Sequence, residues 1–259
     1  MREPRRPSLI KRPLQRTPPL ADVPEGMRIY AVGDVHGRDD LLEEIATAIE
    51  RDLASAPSEV VTVLLGDYVD RGPESASVLE RLASGRFPTP VQALRGNHEQ
   101  MLLQFLNDPP ELEIWRRNGG LETLHSYGVD VSTVMRGHGY EQARDALLAA
   151  IPSKHLEFLS STQPSATYGG YFFCHAGVRP RIPLALQRAE DLMWIRDGFL
   201  QSRRLFEKVV VHGHTPVARP DFRVNRINID TGAFATSVLT CLVLEGAERR
   251  TMTAGKAQR

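Results

Sequence analysis

From Met27 onward the chain alternates apolar and polar stretches with the periods of regular structure. "MRIYAVGD" (27–34) is an apolar run of strand length, and "RDDLLEEIATAIERDL" (38–53) repeats apolar residues at helical spacing. The pattern recurs with "EVVTVLLGD" (59–67) as a second strand and "PESASVLERLASG" (73–85) as a second helix. Pro73 in that stretch suits the helix's first turn. "TPVQALRGN" (89–97) is a third strand, followed by a helix carrying Met101, Leu102, Phe105 and Leu106. Three strand–loop–helix units in succession predict a largely parallel, layered α/β core, in which functional residues gather at the carboxyl ends of strands.

Residues 106–165 read as helical. After them "YGGYFFCHAG", "KVVVHGH", "RINIDTG" and "SVLTCLVLEG" read as strands with few long helices between them, so the second half is expected to be β-rich. The expected domain limits are a basic, Pro-rich tail over 1–26, a catalytic domain over 27–246 and a C-terminal tail over 247–259. Residues 1–26 hold six prolines and six Lys or Arg without a hydrophobic period. That segment could serve as an interaction arm for an acidic partner.

Charge and composition narrow the classes. With 32 Lys plus Arg against 32 Asp plus Glu the net charge is zero, which gives no general nucleic-acid footprint. No apolar run reaches the length of a membrane span. Cys174 and Cys241 sit in apolar runs, and two cysteines are too few for a disulfide framework. A reduced, cytoplasmic protein is expected.

The chemistry lies in the punctuation of the strands. "GDVHG" (33–37), "GDYVDRG" (66–72), "GNHE" (96–99), "CHAG" (174–177) and "HGHT" (212–215) place Asp34, His36, Asp67, Asp70, Asn97, His98, His175 and His214 at five strand ends. Asp34 and His36 are two apart, so in extended backbone both side chains point to one side. A single Asp in such a place is commonly a turn or a helix cap. Caps do not require histidine, so the repetition points to a metal site. Oxygen and imidazole donors without thiolate suit Mn²⁺, Fe or Zn²⁺, and suit Mg²⁺ alone less well. "HEQML" (98–102) begins like the zinc-protease signature but has Leu102 where the second histidine would stand.

These residues resemble the calcineurin-like metallophosphoesterases, within them the phosphoprotein-phosphatase branch, and most of all the lambda-type bacterial and phage serine/threonine phosphatases. "RGNHEQM", "WRRNGG" and "HGHTPVARP" carry the likeness further, over about residues 28–244. The resemblance implies an α/β fold with a central β-sandwich of mixed sheets flanked by helices, and a dinuclear metal site at the strand ends. Asp34 and His36 would hold the first metal, Asp67 would bridge, and Asn97, His175 and His214 would complete the second. The cofactor implied is a pair of divalent ions, Mn²⁺ first, with Fe, Zn²⁺ or Ni²⁺ as alternatives.

Phosphate-ester hydrolysis needs an activated water, neutralised phosphate oxygens and a proton for the leaving group. Two metals supply the first two, so direct in-line attack by a metal-activated hydroxide needs no phosphoenzyme. The third falls to His98 as general acid. Asp70 resembles the family's orienting partner for it, and its carboxylate would favour the imidazolium. Arg71, and Arg196 in "MWIRDG", resemble phosphate-binding arginines, with Arg179 and Arg181 as rivals for the second place; Asn97 faces the same phosphate. His212 reads as a supporting or core residue. Glu99 has no evident catalytic task.

The expected substrate is a phosphoprotein or a small phosphorylated molecule, and a serine/threonine protein phosphatase is the leading reading. The alternative is a hydrolase resembling the symmetrical diadenosine tetraphosphatases, which usually carry a small residue where Asp70 stands and Asp where Glu99 stands. A metal-stabilised scaffold without activity is the third possibility.

Overall fold

The computed structural model describes residues 21–255. Residues 1–20 of the expected basic tail, and its reading as an interaction arm, lie outside the described residues. Two five-stranded sheets face each other. The first has the order β10-β9-β1-β2-β3, from β1 (Met27–Val32), β2 (Glu59–Leu64), β3 (Val91–Ala93), β9 (Leu239–Glu245) and β10 (Glu248–Ala254). The second has the order β4-β5-β6-β8-β7, from β4 (Ser165–Tyr168), β5 (Tyr171–Cys174), β6 (Val209–His212), β7 (Asp221–Phe222) and β8 (Arg226–Asn228).

Strands β1, β2 and β3 run parallel, as the strand–helix alternation predicts, but β9 joins β1 antiparallel. In the second sheet β5, β6 and β8 are parallel, with β4 and β7 antiparallel at the edges. The core is therefore mixed rather than largely parallel.

Period-two alternation assigns the faces. Ile29 and Ala31 of β1, with Val63 of β2, meet Tyr171, Phe173, Val209, Val211 and Ile227 between the sheets. Tyr30, Val32 and Leu64 point the other way, onto Leu41, Leu42, Ile45 and Ile49 of α1 (Asp39–Asp52), Leu79 of α2 (Ser75–Ala83) and Phe105 of α3 (Asn97–Asn107). Burying one such Leu or Ile is worth roughly 1.5–3 kcal/mol. The region expected to be helical forms α4 (Leu112–Trp115), α5 (Gly120–Ser126), α6 (Ser132–Met135), α7 (Tyr140–Ala150) and α8 (Ser153–Ser161). Phe172, Cys174 and Val210 cover the outer face of the second sheet together with Leu192 and Phe199.

Three expectations change. The segment after residue 246, read as a tail, forms β10, paired with β9 from Glu248↔Glu245 to Ala254↔Leu239. Its burial pattern is mostly exposed, as befits a sheet edge, so it lacks the apolar alternation that would have marked it. Residues 21–26 belong to the domain as well: Ala21 and Val23 are buried against the sandwich core, and the Val23 amide donates to the Gly246 carbonyl at 2.9 Å. Pro73 stands just before α2 rather than in its first turn.

Candidate active site

The carboxyl ends of β1, β2, β3, β5 and β6 converge on one buried cluster, and the local sequence explains how the loops close there. Asp67 and Asp70 adopt left-handed backbone (φ 53° and 73°), as do His36 (φ 45°) and His214 (φ 65°). These short turns aim successive side chains inward from each strand. Gly96 is required by close approach: a Cβ there would lie 2.1 Å from the Asp67 Oδ1.

Asp67 is the hub. Its Oδ2 lies 3.3 Å from the His175 Nε2, 3.5 Å from the His36 Nε2 and 3.8 Å from the His98 Nε2. Two groups of potential ligand atoms, His36–Asp67–His98 and Asp67–His175–His214, each fall within 4.8 Å of one another and share Asp67. The Asn97 Oδ1 lies 3.0 Å from the His175 Nε2 and 2.8 Å from the His214 Nδ1, which puts it in the second group. Asp34 is buried beside them. Its Oδ2 accepts from the His214 amide at 2.9 Å, and its Oδ1 has no hydrogen-bond partner among the described residues.

That orphaned oxygen, in a pocket crowded with acids, is the test of whether the residues suit a cation. Burial, and then the charges of Asp230 and Asp67, push Asp34 well above the usual carboxylate range. Burial likewise moves Asp230 up to about 6 and Glu99 up to about 7. Asp67 alone is held well below its usual range: burial opposes this, but His175 and His98 outweigh it. Burial holds His36 down to about 3 and His214 down to about 2, so both imidazoles are neutral and available as ligands. The donor set fits two divalent ions.

His98 differs from the other histidines. Its Nδ1 donates to the Asp70 Oδ2 at 2.6 Å, and its Nε2 faces the Arg71 guanidinium at 3.1 Å. Burial would lower its pKa, yet the charges of Asp67 and Asp70 together raise it. Asp70 is itself held on every side: its Oδ2 also accepts from the Trp115 Nε1 at 2.7 Å, and its Oδ1 accepts from the Thr123 Oγ1 at 2.6 Å.

The arginines sort themselves by their partners. Arg71 spans the His36 and His98 Nε2 atoms, and its guanidinium lies 4.8 Å from the centre of the Phe234 ring. Arg196, exposed, donates from Nε to the His214 Nε2 at 3.0 Å. Arg179 is tied to Asp191 and Arg181 lies exposed, so of the three rivals only Arg196 contacts the cluster. His212, as expected of a supporting residue, is buried against Phe199 with its Nδ1 near the Gly213 carbonyl at 3.1 Å.

The calcineurin-like phosphoesterase family model matches residues 27–235. The chain belongs to that family. Its members are dinuclear metal-dependent hydrolases of phosphoric esters, and this chain is a metallophosphoesterase. Serine/threonine-protein phosphatase 1 of Salmonella typhimurium is 28% identical over 217 residues, covering 82% of this chain and 89% of that protein. The symmetrical bis(5'-nucleosyl)-tetraphosphatase of Paracidovorax citrulli is 40% identical over 77 residues, which is 30% of this chain and only 25% of the relative. A solved structure of a proposed diadenosine tetraphosphatase superposes with a TM-score of 0.59 at 18% identity, covering 93% of this chain and 97% of that one; the likeness is one of fold.

Sequence reasoning left Glu99 without a task, and the geometry gives it one. Its Oε2 accepts from the amides of Asp67 at 2.8 Å and Gly96 at 2.9 Å, while its Oε1 accepts from the Tyr68 amide at 2.7 Å. A fully buried carboxylate thus clamps the Asp67 loop to the start of α3. Trp115, Thr123, Asp230 and Phe234 were also missed. Trp115 lay in a quoted motif, and "DTG" after β8 repeats the strand–Asp–Gly punctuation, so two of the four left a readable sign.

Proposed function

We propose that this metallophosphoesterase is a serine/threonine protein phosphatase, hydrolysing phosphomonoesters with His98 as the general acid. One observation carries this reading: a buried carboxylate, Asp70, 2.6 Å from the His98 Nδ1, leaves that imidazole's Nε2 directed toward the arginine-lined mouth of the cluster. A serine or threonine alkoxide is a poor leaving group and needs a proton delivered as it departs. The likeness to a serine/threonine phosphatase along nearly the whole chain adds support.

In this reading Asp34, His36, Asp67, Asn97, His175 and His214 hold two divalent ions. Mn²⁺ is the ion we favour for a set of carboxylates, imidazoles and one amide oxygen. Bound ions supply a water of lowered pKa and neutralise phosphate charge. The chain's own groups do the rest. Arg71 and Arg196 approach from opposite halves of the cluster and take phosphate oxygens through paired N–H donors. Asp70 fixes the His98 tautomer with the proton on Nδ1 and favours the imidazolium, so that the Nε2 proton can pass to the departing oxygen. Trp115 and Thr123 hold Asp70 in place while it does so.

Two buried free thiols, Cys174 and Cys241, support a cytoplasmic location. Among the described residues no helix is long and apolar enough to cross a membrane.

The local 40% identity favours a second reading, a dinucleotide polyphosphatase. The deciding experiment is a panel after Mn²⁺ reconstitution: phosphoserine, phosphothreonine and phosphotyrosine peptides, diadenosine tetraphosphate and a phosphodiester. Phosphoserine or phosphothreonine peptides should be turned over fastest. Rapid cleavage of the dinucleotide with inert peptides would establish the second reading instead.

A further inference from the structure

Arg71 differs from most other arginines of the chain in what holds it. Arg28, Arg81 and Arg179 are each tied to a carboxylate, that of Asp52, Asp39 and Asp191 respectively. Arg71 makes no salt bridge among the described residues, and its guanidinium meets only the imidazole nitrogens of His36 and His98, both at 3.1 Å. A carboxylate in that place would compete with phosphate for the same N–H donors. What lies against the guanidinium instead is the Phe234 ring, whose centre is 4.8 Å from the guanidinium carbon.

Phe234 is set there by a tightly bonded turn, although its ring stays 38% exposed and so is not a core residue. It sits on the short helix Ala233–Thr236, bracketed by Gly232 and Ser237 in left-handed backbone (φ 68° and 56°). Arg38 Nη1 donates to the Ala233 carbonyl at 3.0 Å, and Thr236 Oγ1 donates to the Thr231 carbonyl at 2.8 Å. Thr231 Oγ1 in turn donates to the Val238 carbonyl at 2.8 Å, and Ala233 is buried in the core. The Phe234 ring meets the His36 ring edge to face, 5.4 Å between centres at 83°, which places it at the cluster itself. The base of Arg71 is fixed elsewhere. Its amide donates to the Gly119 carbonyl at 3.1 Å, and a Cβ on Gly119 would lie 2.7 Å from the Arg71 Cγ. Gly119 thus sets the backbone and stem, and Phe234 meets the tip.

We propose that Phe234 is a positioning residue for phosphate binding, holding the Arg71 guanidinium by a cation–π contact. The proposal rests on the reading of Arg71 as a phosphate ligand given above. A ring attracts the cation through its face and forms no hydrogen bond with it, so orientation is gained without occupying a donor. Nη1 and Nη2 both point to the imidazoles of the cluster, the side from which a phosphate would be met. The fork can then take two phosphate oxygens at once. Phe234 itself acts only through Arg71.

The test uses the full chain reconstituted with Mn²⁺, with inorganic phosphate as a competitive inhibitor of p-nitrophenyl phosphate hydrolysis. F234L keeps an apolar side chain on the same turn but has no π face. It should raise KM and the phosphate Ki together by about two- to fivefold, with kcat within about twofold and bound metal unchanged. F234Y keeps the ring face and should return both constants to those of the native chain. R71Q alone should weaken phosphate about tenfold or more, and F234L added to R71Q should weaken it no further. An unchanged Ki in F234L, an equal loss in F234Y, a full F234L effect in the R71Q background or a fall in bound metal overturns the role of Phe234. Each of these leaves Arg71 as a phosphate ligand. A native Ki in R71Q overturns the reading of Arg71, and the role of Phe234 with it.

Discussion

Replacing Asp70 with Asn removes a charge from beneath His98 and little else. The two side chains have the same shape. With the Asn oxygen turned toward His98 Nδ1 and Trp115 Nε1, its NH₂ meets Thr123 Oγ1, a hydroxyl that can rotate to accept. The fold should therefore survive D70N with a cost of about 1 kcal/mol. What is lost is the charge-assisted character of a 2.6 Å hydrogen bond to a group buried on all sides. Such bonds are roughly twice as strong as neutral ones, which corresponds to about 1–2 pKa units at the imidazole. The sign follows from the direction of the shift. Asp67 and Asp70 raise the His98 pKa against burial, so the cationic acid persists to higher pH and is lost as pH rises through that raised value. In D70N the loss comes earlier, and the alkaline limb of the pH–rate profile should move down by about one to two units. The assay compares phosphoserine peptide with p-nitrophenyl phosphate, whose phenolate departs without a proton. Turnover of the peptide should fall about 10–100-fold while that of the aryl ester changes little. An unchanged ratio of the two substrates, with an unmoved alkaline limb and matched metal content, would refute the assignment of His98 as the acid.

Two further substitutions probe the frame around the metals. In G96A the added Cβ meets Asp67 Oδ1 at 2.1 Å and must push the hub carboxylate aside, so bound metal measured by atomic spectroscopy should fall well below two ions per chain. Full occupancy in G96A would show that Asp67 is free to move. In E99Q one carboxylate oxygen becomes an NH₂ facing backbone amides that can only donate, which should cost about 2–4 kcal/mol. Calorimetry of the metal-free protein should then show a melting temperature lower by roughly 5–10 °C, and an unchanged one would remove Glu99 from its role as a clamp.

The parts of this molecule that were legible in its sequence are those written locally. Each strand of the first half ends in Gly followed by Asp or Asn, so the positions that meet at the sheet's edge could be read without knowing how the sheets stack. His175 and His214 come together because the parallel register of β5 and β6 aligns their ends, and Asn97 meets them from the end of β3 in the facing sheet. The missing parts depend on contacts between distant segments. Trp115 reaches Asp70 across 45 residues, and Thr123 across 53. Nothing in the local pattern of either residue signals a carboxylate partner. Strand β10 escaped because an edge strand that keeps its outer residues polar resembles a tail, and Ala21 and Val23 escaped because two apolar residues beside a Pro-rich run set up no period. Glu99 was read only for its identity. Its carboxylate replaces the missing partners of amides in a turn whose left-handed geometry the sequence does not announce.

That geometry bears on how the ions are held. Seven non-glycine residues among those described have positive φ, and five of them, His36, Asp67, Asp70, Arg71 and His214, belong to the cluster. Each such residue costs on the order of 1 kcal/mol or more relative to ordinary backbone, so the loops would relax if nothing opposed them. Each is opposed by a contact from a different element. The Asp67 carbonyl accepts from the His36 amide, Glu99 holds the Asp67 amide, Ser75 and Thr123 hold the Asp70 amide, the Gly119 carbonyl accepts from Arg71, and Asp34 takes the His214 amide. The strain is thereby balanced by protein groups from other parts of the fold. In the proposed dinuclear site, metal affinity should then depend on Glu99, Ser75 and Thr123, which stand outside the proposed ligand set. Weakening any one clamp lets its loop return toward common backbone angles and withdraws a ligand from Asp67, the single carboxylate that both ligand groups share, so the two ions should be weakened together rather than one at a time.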